Sequence, residues 1–313
     1  MHKSIVVLGG SGFIGKRLIR HLLNIDVTPI VIKRSQSKTA PELRNEELQY
    51  VNLSTDSYDG LSEALESYDI DAIVNCAAYG VSPSARSFNP MYQVNVGLPL
   101  ALVNIASDHM VPIVHLGSSA EYAGGQLTRS IQESDAPEVQ KLYGCTKYAG
   151  GALMTLKAAE LNVASAILRL FHVYGPGERD HRLLPTLISK LSNGQRVPMS
   201  EGTQVRDFVH VDDAVNAIMT ALLGLSEGSL ENNQAYNIST GSGQSVRQFS
   251  EAVAAYLGAP ASLLGFGDVE MRPDEIMYLT GDNMKFTSQT EWRPQFDFES
   301  GIKCACRELH SQA

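Results

Sequence analysis

Apolar residues in this chain come in short unbroken runs separated by stretches with helical spacing. The first run is Ile5-Val6-Val7-Leu8, and Leu18, Ile19, Leu22 and Leu23 follow it on one helical face. Four consecutive aliphatic residues suit a strand buried on both sides. Further runs predict strands at Thr28–Lys33, Gln49–Thr55, Asp71–Ala78, Val111–Leu116 and Ser165–Gly175. Between them the spacing predicts helices at Tyr58–Glu66, at Tyr92–His109, and from Tyr143 to about Asn162. The helix Tyr92–His109 has an apolar face of Val96, Leu100, Val103 and Ile105. Strand and helix alternate without an internal repeat or a low-complexity linker. That order predicts an α/β protein with a doubly wound parallel sheet covered on both faces.

The pattern changes after Gly175-Pro176-Gly177. Helices are expected at Leu183–Asn193, Ala214–Leu223 and Val246–Leu257, with a terminal helix from Phe298 and a strand at Ala235–Thr240. Asp212 or Asp213 is the expected N-cap of the second helix and Ser245 that of the third. A sheet domain over residues 1–174 and 206–241, interleaved with a smaller substrate lobe over 175–205 and 242–313, accounts for the change.

Three glycines, Gly9, Gly12 and Gly15, separate the first strand from its helix, which opens at Phe13 and Ile14. A strand, a glycine turn and free N–H groups at a helix N-terminus make an anion site suited to a dinucleotide's pyrophosphate. The spacing is Gly-x-x-Gly-x-x-Gly rather than the tighter Gly-x-Gly-x-x-Gly. The alternative is a glycine-rich turn with no ligand. The second strand ends in Lys33-Arg34, where such folds often place an acid for the ribose 2′-hydroxyl. Two cations would attract a 2′-phosphate, so NADP(H) is the preferred cofactor and NAD(H) the alternative. A solvated basic turn is the competing account of Lys33-Arg34. Asn52 and Leu53 are placed beside the adenine, and the small residues Cys76, Ala77 and Ala78 let a cofactor lie against the backbone.

The fifth strand runs into Gly117-Ser118-Ser119-Ala120-Glu121, which puts two hydroxyls at the ligand-binding edge of the sheet. A serine-rich turn is the alternative. Tyr143 and Lys147 are four residues apart and share a helical face. An ammonium beside a phenol lowers the phenol's pKa, and such a tyrosine can exchange a proton with a carbinol or carbonyl.

Net charge of −9 argues against a nucleic-acid partner, which needs a basic face. No apolar run approaches the roughly 20 residues of a membrane span, and there is no signal-peptide pattern. A cytoplasmic protein is expected. Cys76, Cys145, Cys304 and Cys306 lack zinc-ligand spacing and are read as reduced thiols, with no metal site.

These segments resemble the extended short-chain dehydrogenase/reductases, in the branch of nucleotide-sugar epimerases, dehydratases and reductases. GGSGFIG resembles the cofactor turn, SSAEYAG the serine strand end, and YGCTK the catalytic Tyr-x-x-x-Lys. RLFHVYGPG, RDFVHVDDAV, YNISTGS and TEWRP continue the likeness in order over nearly the whole chain. The resemblance implies a Rossmann-type fold, Tyr143 as catalytic acid/base, and Lys147 as the group that binds the nicotinamide ribose and lowers the phenol's pKa. It implies that Ser119 hydrogen-bonds the reacting sugar oxygen and that Arg206 and Arg272 hold the substrate's phosphates. It also implies a homodimer through a four-helix bundle built from Tyr92–His109 and Tyr143–Asn162.

Departures from the pattern narrow the chemistry. Relatives that remove water between C4 and C6 carry Asp-Glu after the catalytic hydroxyl, whereas this chain has Ala120-Glu121. A 4,6-dehydratase is therefore disfavoured. His172 stands where an Asn usually contacts substrate, as either a catalytic group or a satisfied polar residue. Lys33-Arg34 replaces the acid of NAD-retaining epimerases. The leading expectation is an NADPH-dependent reductase of a keto group, at C4, on a nucleotide-activated deoxysugar. A nucleotide-sugar 4-epimerase with tightly held NAD is the alternative. A non-catalytic cofactor-binding regulator comes third, because Ser119, Tyr143 and Lys147 are all retained.

Overall fold

Ile5, Val6 and Val7 are wholly shielded from solvent because their strand lies inside a seven-stranded sheet with helices over both faces. The computed structural model describes residues 2–33, 48–53, 58, 60–82, 85, 87–123 and 129–310. Arg34 and the ends of two expected elements, at residues 54–55 and 59, lie outside them. The elements are β1 (Ser4–Leu8), α1 (Phe13–Asn24), β2 (Thr28–Lys33), β3 (Gln49–Asn52), α2 (Leu61–Leu65), β4 (Ala72–Asn75), α3 (Phe88–Tyr92), α4 (Leu98–Asp108), β5 (Ile113–Ser118), α5 (Leu142–Glu160), β6 (Ser165–Leu170) and β7 (His172–Tyr174). They continue as α6 (Leu183–Ser192), β8 (Val197–Met199), β9 (Val205–His210), α7 (Val211–Glu227), β10 (Gln234–Ile238), β11 (Gly243–Ser245), α8 (Val246–Tyr256), β12 (Leu264–Phe266), β13 (Tyr278–Leu279), α9 (Met284–Gln289) and α10 (Phe298–His310).

The large sheet runs β3-β2-β1-β4-β5-β6-β10, and every neighbouring pair is parallel. This is the Rossmann arrangement, in which strand order reverses between β1 and β4 and ligands bind beyond the C-terminal strand ends there. One apolar cluster fills the space between the sheet and the α1/α7 side, and a second packs the α4/α5 side. A third, with Tyr174, Leu187, Val197, Phe208, Phe249 and Ile302, is built on α6, α8 and α10.

Three expected elements differ in the structure. The run Ser165–Gly175 is two strands: the chain turns at Phe171, whose N–H bonds Ile238, and residues 172–174 leave the large sheet to pair with β9. The expected helix Tyr92–His109 begins earlier, at Phe88, and passes through a widened turn at Gln93–Gly97 before α4. Pro99, at the start of α4, has no N–H to offer the Asn95 carbonyl, so regular helix bonding cannot continue there. The N-cap of α7 is His210, whose Nδ1 accepts the Asp212 N–H. The two expected caps are engaged elsewhere. Asp212 pairs with Arg17 of α1, and Asp213 accepts the N–H groups of Gln295 and Phe296. Ser245 does cap α8, in a capping box with Gln248.

Helix α5 approaches its neighbours so closely that side chains are excluded. A Cβ on Gly150 would overlap the Asn95 carbonyl oxygen, and one on Gly144 the Ala120 carbonyl oxygen. These are backbone atoms with little room to yield. The variant Gly150→Ala is therefore expected to lower the unfolding free energy by about 2 kcal/mol, as overpacking of a filled interior does. A denaturant midpoint equal to that of the parent protein would contradict this account of how α5 is seated.

Candidate active site

Glycine, small and polar residues converge at the C-terminal edge of the large sheet because β1, β4 and β5 all end there. Gly9 leaves β1 with φ +73°, a conformation that favours glycine, and a Cβ on it would stand 2.7 Å from the Ala77 nitrogen. Gly12 is the N-cap of α1 and supplies no side-chain cap, and the helix's first turn carries no acid. An uncapped N-terminus behind a turn this tight fits a diphosphate. The 175–178 loop comes over it: a Cβ on Gly177 would lie 3.6 Å from the Phe13 ring. Ile14 packs against the core on the α1 side.

Beyond the turn, Lys33 ends β2 next to Asn52 of β3, in a parallel register. Asn52 is exposed, whereas Leu53 is buried among the apolar residues of the α4/α5 side. Cys76, Ala77 and Ala78 follow β4. Ala77 is buried, Ala78 exposed, and burial pushes the Cys76 thiol up to about 12, so it is a thiol rather than a thiolate.

Tyr143 and Lys147 lie in the first turns of α5, against the end of β5. Burial, reinforced by the Glu121 carboxylate, pushes the Tyr143 phenol up to about 12, while a hydrogen bond with Ser118 and the Arg182 guanidinium act in the opposite direction. Burial pulls the Lys147 amine down to about 8, opposed by Glu121 and Cys76. Its Nζ donates to the Leu116 carbonyl at 2.6 Å and lies 3.1 Å from His115 Nε2. The lysine was expected to lower the phenol's pKa. In the structure its amine is directed to the Leu116 carbonyl of β5, one helical turn from the phenol.

The serine turn is held by a buried ion pair. Arg169 Nε donates to Glu121 Oε2 at 2.9 Å, and Glu121 Oε1 accepts the Ser118 N–H at 2.8 Å. Ser118 Oγ accepts the Ala120 N–H, and Ser119 begins the short turn that follows. Of the two hydroxyls, Ser118 is the one that lowers the Tyr143 pKa, and Ser119, the sequence candidate, begins the turn one residue beyond it. The doubled serine was visible in the sequence, but which hydroxyl faces the phenol depends on where β5 ends.

His172 lies at the start of β7, edge-on to Phe208 at 5.0 Å. Burial, with Arg182 and then Arg206 nearby, pulls it down to about 3, so it is a neutral imidazole at physiological pH. Arg206 is largely buried. It donates to the carbonyls of Val205 and Ile276 at 2.7 Å each, and its Nη2 is paired with Glu275. Arg272 is exposed on the same loop. Arg182 and Glu178 had no sequence signal. Arg182 acts electrostatically on both Tyr143 and His172, and its partner Glu178, 3.7 Å away, is pushed up to about 7 by burial. Among the described residues no cluster of metal-ligating side chains occurs, and no helix is long and apolar enough to cross a membrane.

Known proteins resemble this chain in sequence and in fold. The chain is 28% identical, over 97% of its length and 98% of the relative's, to CDP-abequose synthase of Salmonella typhimurium. It is 28% identical to dTDP-6-deoxy-L-talose 4-dehydrogenase (NAD(P)(+)) of Kitasatospora kifunensis, over 83% of this chain and 80% of that one. Its fold superposes on UDP-glucose 4-epimerase of Thermotoga maritima with a TM-score of 0.87, at 22% identity and 99% coverage of both chains. Residues 5–239 match the NAD dependent epimerase/dehydratase family, and the chain belongs to that family.

Proposed function

We propose that this chain is an NADPH-dependent reductase of the C4 keto group of a nucleotide-activated deoxysugar. One observation carries the reading: a half-buried, protonated phenol, Tyr143, lies within electrostatic reach of the Ser118 hydroxyl at the end of β5, one helical turn from Lys147 and on the same sheet edge as the Gly9–Gly15 turn. Bound NADPH supplies the hydride. The chain's own work is to hold and protonate. Tyr143, kept neutral by burial, delivers a proton to the carbonyl oxygen as negative charge develops there, and Ser119, together with Ser118, polarises that oxygen. Lys147 holds the nicotinamide ribose and, as ammonium, lowers the phenol's pKa. Gly9, Gly12, Phe13, Ile14 and Gly15 hold the cofactor's diphosphate, while Asn52, Leu53 and residues 76–78 flank the rest of it. Arg206 and Arg272, with Arg182 beside His172, make the cleft favourable for an anionic sugar nucleotide. His172 contacts substrate as a neutral imidazole.

Two relatives support the choice of chemistry, one named for a 4-dehydrogenation of a nucleotide 6-deoxysugar with NAD(P)+ and one for CDP-abequose synthesis. Both are nucleotide-sugar enzymes, as this chain is read to be. The purified protein is expected to consume added NADPH with a 4-keto-6-deoxyhexose nucleotide, and Tyr143→Phe to abolish turnover while cofactor binding persists. Protein that carries stoichiometric NAD and interconverts sugar nucleotides without net cofactor turnover is instead a 4-epimerase, and the reductase reading fails.

Cofactor choice has a separate test. Replacing Lys33 and Arg34 by neutral residues is expected to weaken NADPH binding by about 10- to 100-fold, the equivalent of a charged hydrogen bond or two, and to leave NADH binding little changed. Equal losses for both cofactors would rule out a 2′-phosphate contact.

A homodimer is also proposed, formed by α5 and the helical stretch 88–108 packing against their copies in a four-helix bundle. Phe88, Tyr92, Leu142, Leu153 and Leu156 are apolar side chains left exposed on these helices. Light scattering at micromolar concentration is expected to give a dimer's mass, and a monomer's mass would exclude the bundle. Sheet domain and substrate lobe, divided as 1–174 with 206–241 and 175–205 with 242–313, and a cytoplasmic location complete the proposal.

A further inference from the structure

We propose that Glu178 is a positioning residue, whose buried carboxylate holds the Arg182 guanidinium over the cleft to receive the substrate's diphosphate. The role of Glu178 rests on the reading of the substrate as a nucleotide-activated sugar. The two members of the pair differ in exposure: the Glu178 side chain is 4% exposed and that of Arg182 40%. Arg182 Nε and Glu178 Oε1 are 3.7 Å apart, the separation of an ion pair rather than a hydrogen bond. A carboxylate shut away from water is costly unless a cation faces it, and the cation that acts on Glu178 is Arg182. Burial pushes the Glu178 carboxyl up to about 7, against the pull of Arg182, so it is mainly a carboxylate at pH 8.

The backbone is fixed at both ends of the pair. Gly175 leaves β7 with φ +142°, and a Cβ on it would stand 2.8 Å from Val211 Cγ1, so the turn lies hard against the start of α7. The Glu178 N–H donates to the Gly175 carbonyl at 3.3 Å, and Glu178 Oε2 accepts the Gly175 N–H at 3.4 Å. The acid is thus folded back onto its own turn. Arg182 is the N-cap residue of α6, and its carbonyl accepts the Thr186 N–H at 3.0 Å. Helix α6 is anchored in turn by Leu184, Leu187 and Leu191, which are buried in the third apolar cluster. What is left to choose is the rotamer of a long, half-exposed arginine, and the carboxylate makes that choice.

The direction of aim follows from what the guanidinium acts on. Arg182 lowers the pKa of Tyr143 on α5 and that of His172 on β7, so it faces the reacting end of the cleft. Arg206 also acts on His172, but it is taken up by the Val205 and Ile276 carbonyls and by Glu275. Among the described residues the charges that act on Tyr143 are Glu121 and Arg182, and those that act on His172 are Arg182 and Arg206. Glu178 therefore reaches the cleft through Arg182. Because the pair is made at Nε, the two terminal NH2 groups remain for a ligand, and that fork suits a phosphate.

Glu178 is tested on the full-length chain at pH 8. Relaxation of the arginine 1H–15Nε signals, with Arg182 assigned by its loss in Arg182→Lys, is expected to show an ordered Nε–H in the native protein and a mobile one in Glu178→Gln. UDP, CDP and dTDP are titrated calorimetrically into the native protein, and the one bound most tightly is then titrated into the variants. Glu178→Gln is expected to weaken its binding by about fivefold, the order of one partly exposed charged contact. In an Arg182→Gln background the same change is expected to add nothing. NADPH affinity and the thermal midpoint are expected to hold in Glu178→Gln, which a loop that had merely come apart would not allow. A native Arg182 Nε–H as mobile as that of the variant overturns the proposal. Tighter binding in Glu178→Gln means that the carboxylate only screens the cation, and overturns it too, as does an equal loss with and without Arg182. Unchanged binding in Glu178→Gln overturns the proposal alone, whereas native protein that binds none of the three diphosphates overturns it together with the nucleotide-sugar reading.

Discussion

The close seating of α5 against two backbone carbonyls governs the rest of the site. Gly150 meets Asn95 and Gly144 meets Ala120 at distances no side chain allows. The first contact depends on Pro99, which leaves the Asn95 carbonyl without its helical donor in the widened turn Gln93–Gly97. Asn95 also holds Tyr79 through both backbone polar groups and reaches Thr146 Oγ1 at 3.1 Å. The helix carrying Tyr143 and Lys147 is thereby fixed in height and rotation relative to the ends of β4 and β5. A shift of 1 Å there would separate the phenol from Ser118 and the amine from Leu116 together, because both belong to the same rigid helix.

A buried ion pair sets the second boundary of the site. Arg169 and Glu121 lie almost wholly inside the protein, where an unpaired charge would be costly, and each is further satisfied by hydrogen bonds. Their pairing does more than balance charge. Glu121 reaches back to the Ser118 N–H, so the carboxylate holds the turn that presents both serines. It also raises the Tyr143 pKa and, less directly, supports charge on Lys147. Glu121 is one position of the Asp-Glu pair that dehydratases in this family are read to use. Here it is locked into the scaffold, with Ala120 beside it, so it cannot approach a substrate without leaving Arg169 unpaired.

The sheet was legible because parallel strands buried on both faces read as continuous apolar runs, and Ile5–Leu8 is the plainest case. The glycine turn, Tyr143 and Lys147 were legible because their spacings are imposed by strand-to-helix geometry. What escaped was set by long-range contacts. The break at Phe171 depends on contacts with β10 and β9, which no residue near position 171 announces. The cap of α7 went to His210 because Asp212 and Asp213 are drawn to Arg17 and to the 295–296 backbone, far away in sequence. His115 read only as one residue of a strand, VPIVHL. Its partners, Asn75 and Lys147, come from a different strand and a helix, and nothing at positions 114–116 announces them. Arg182 likewise gains its meaning only when the 175–182 loop folds over the cleft.

The charges left in the cleft at neutral pH follow from these placements. Tyr143 and Cys76 are held neutral by burial, and His172 is held neutral by burial and two arginines. Glu121 is tied to Arg169, and Arg206 to Glu275. Among the described residues around the phenol, Lys147, near 8, and Glu178, near 7, are placed to change charge close to neutral pH. The two sit on opposite sides of the phenol's environment. Lys147 lies behind Tyr143 on α5, and Glu178 acts on it through Arg182 at the loop that covers the cleft. Protonating Glu178 frees Arg182 from its carboxylate and makes the loop side more positive, whereas deprotonating Lys147 makes the sheet side less so. Tyr143, between them, therefore sits in a field that falls from loop to sheet as pH rises through Lys147. A less positive sheet side disfavours the phenolate, which adds to burial in keeping Tyr143 a neutral phenol.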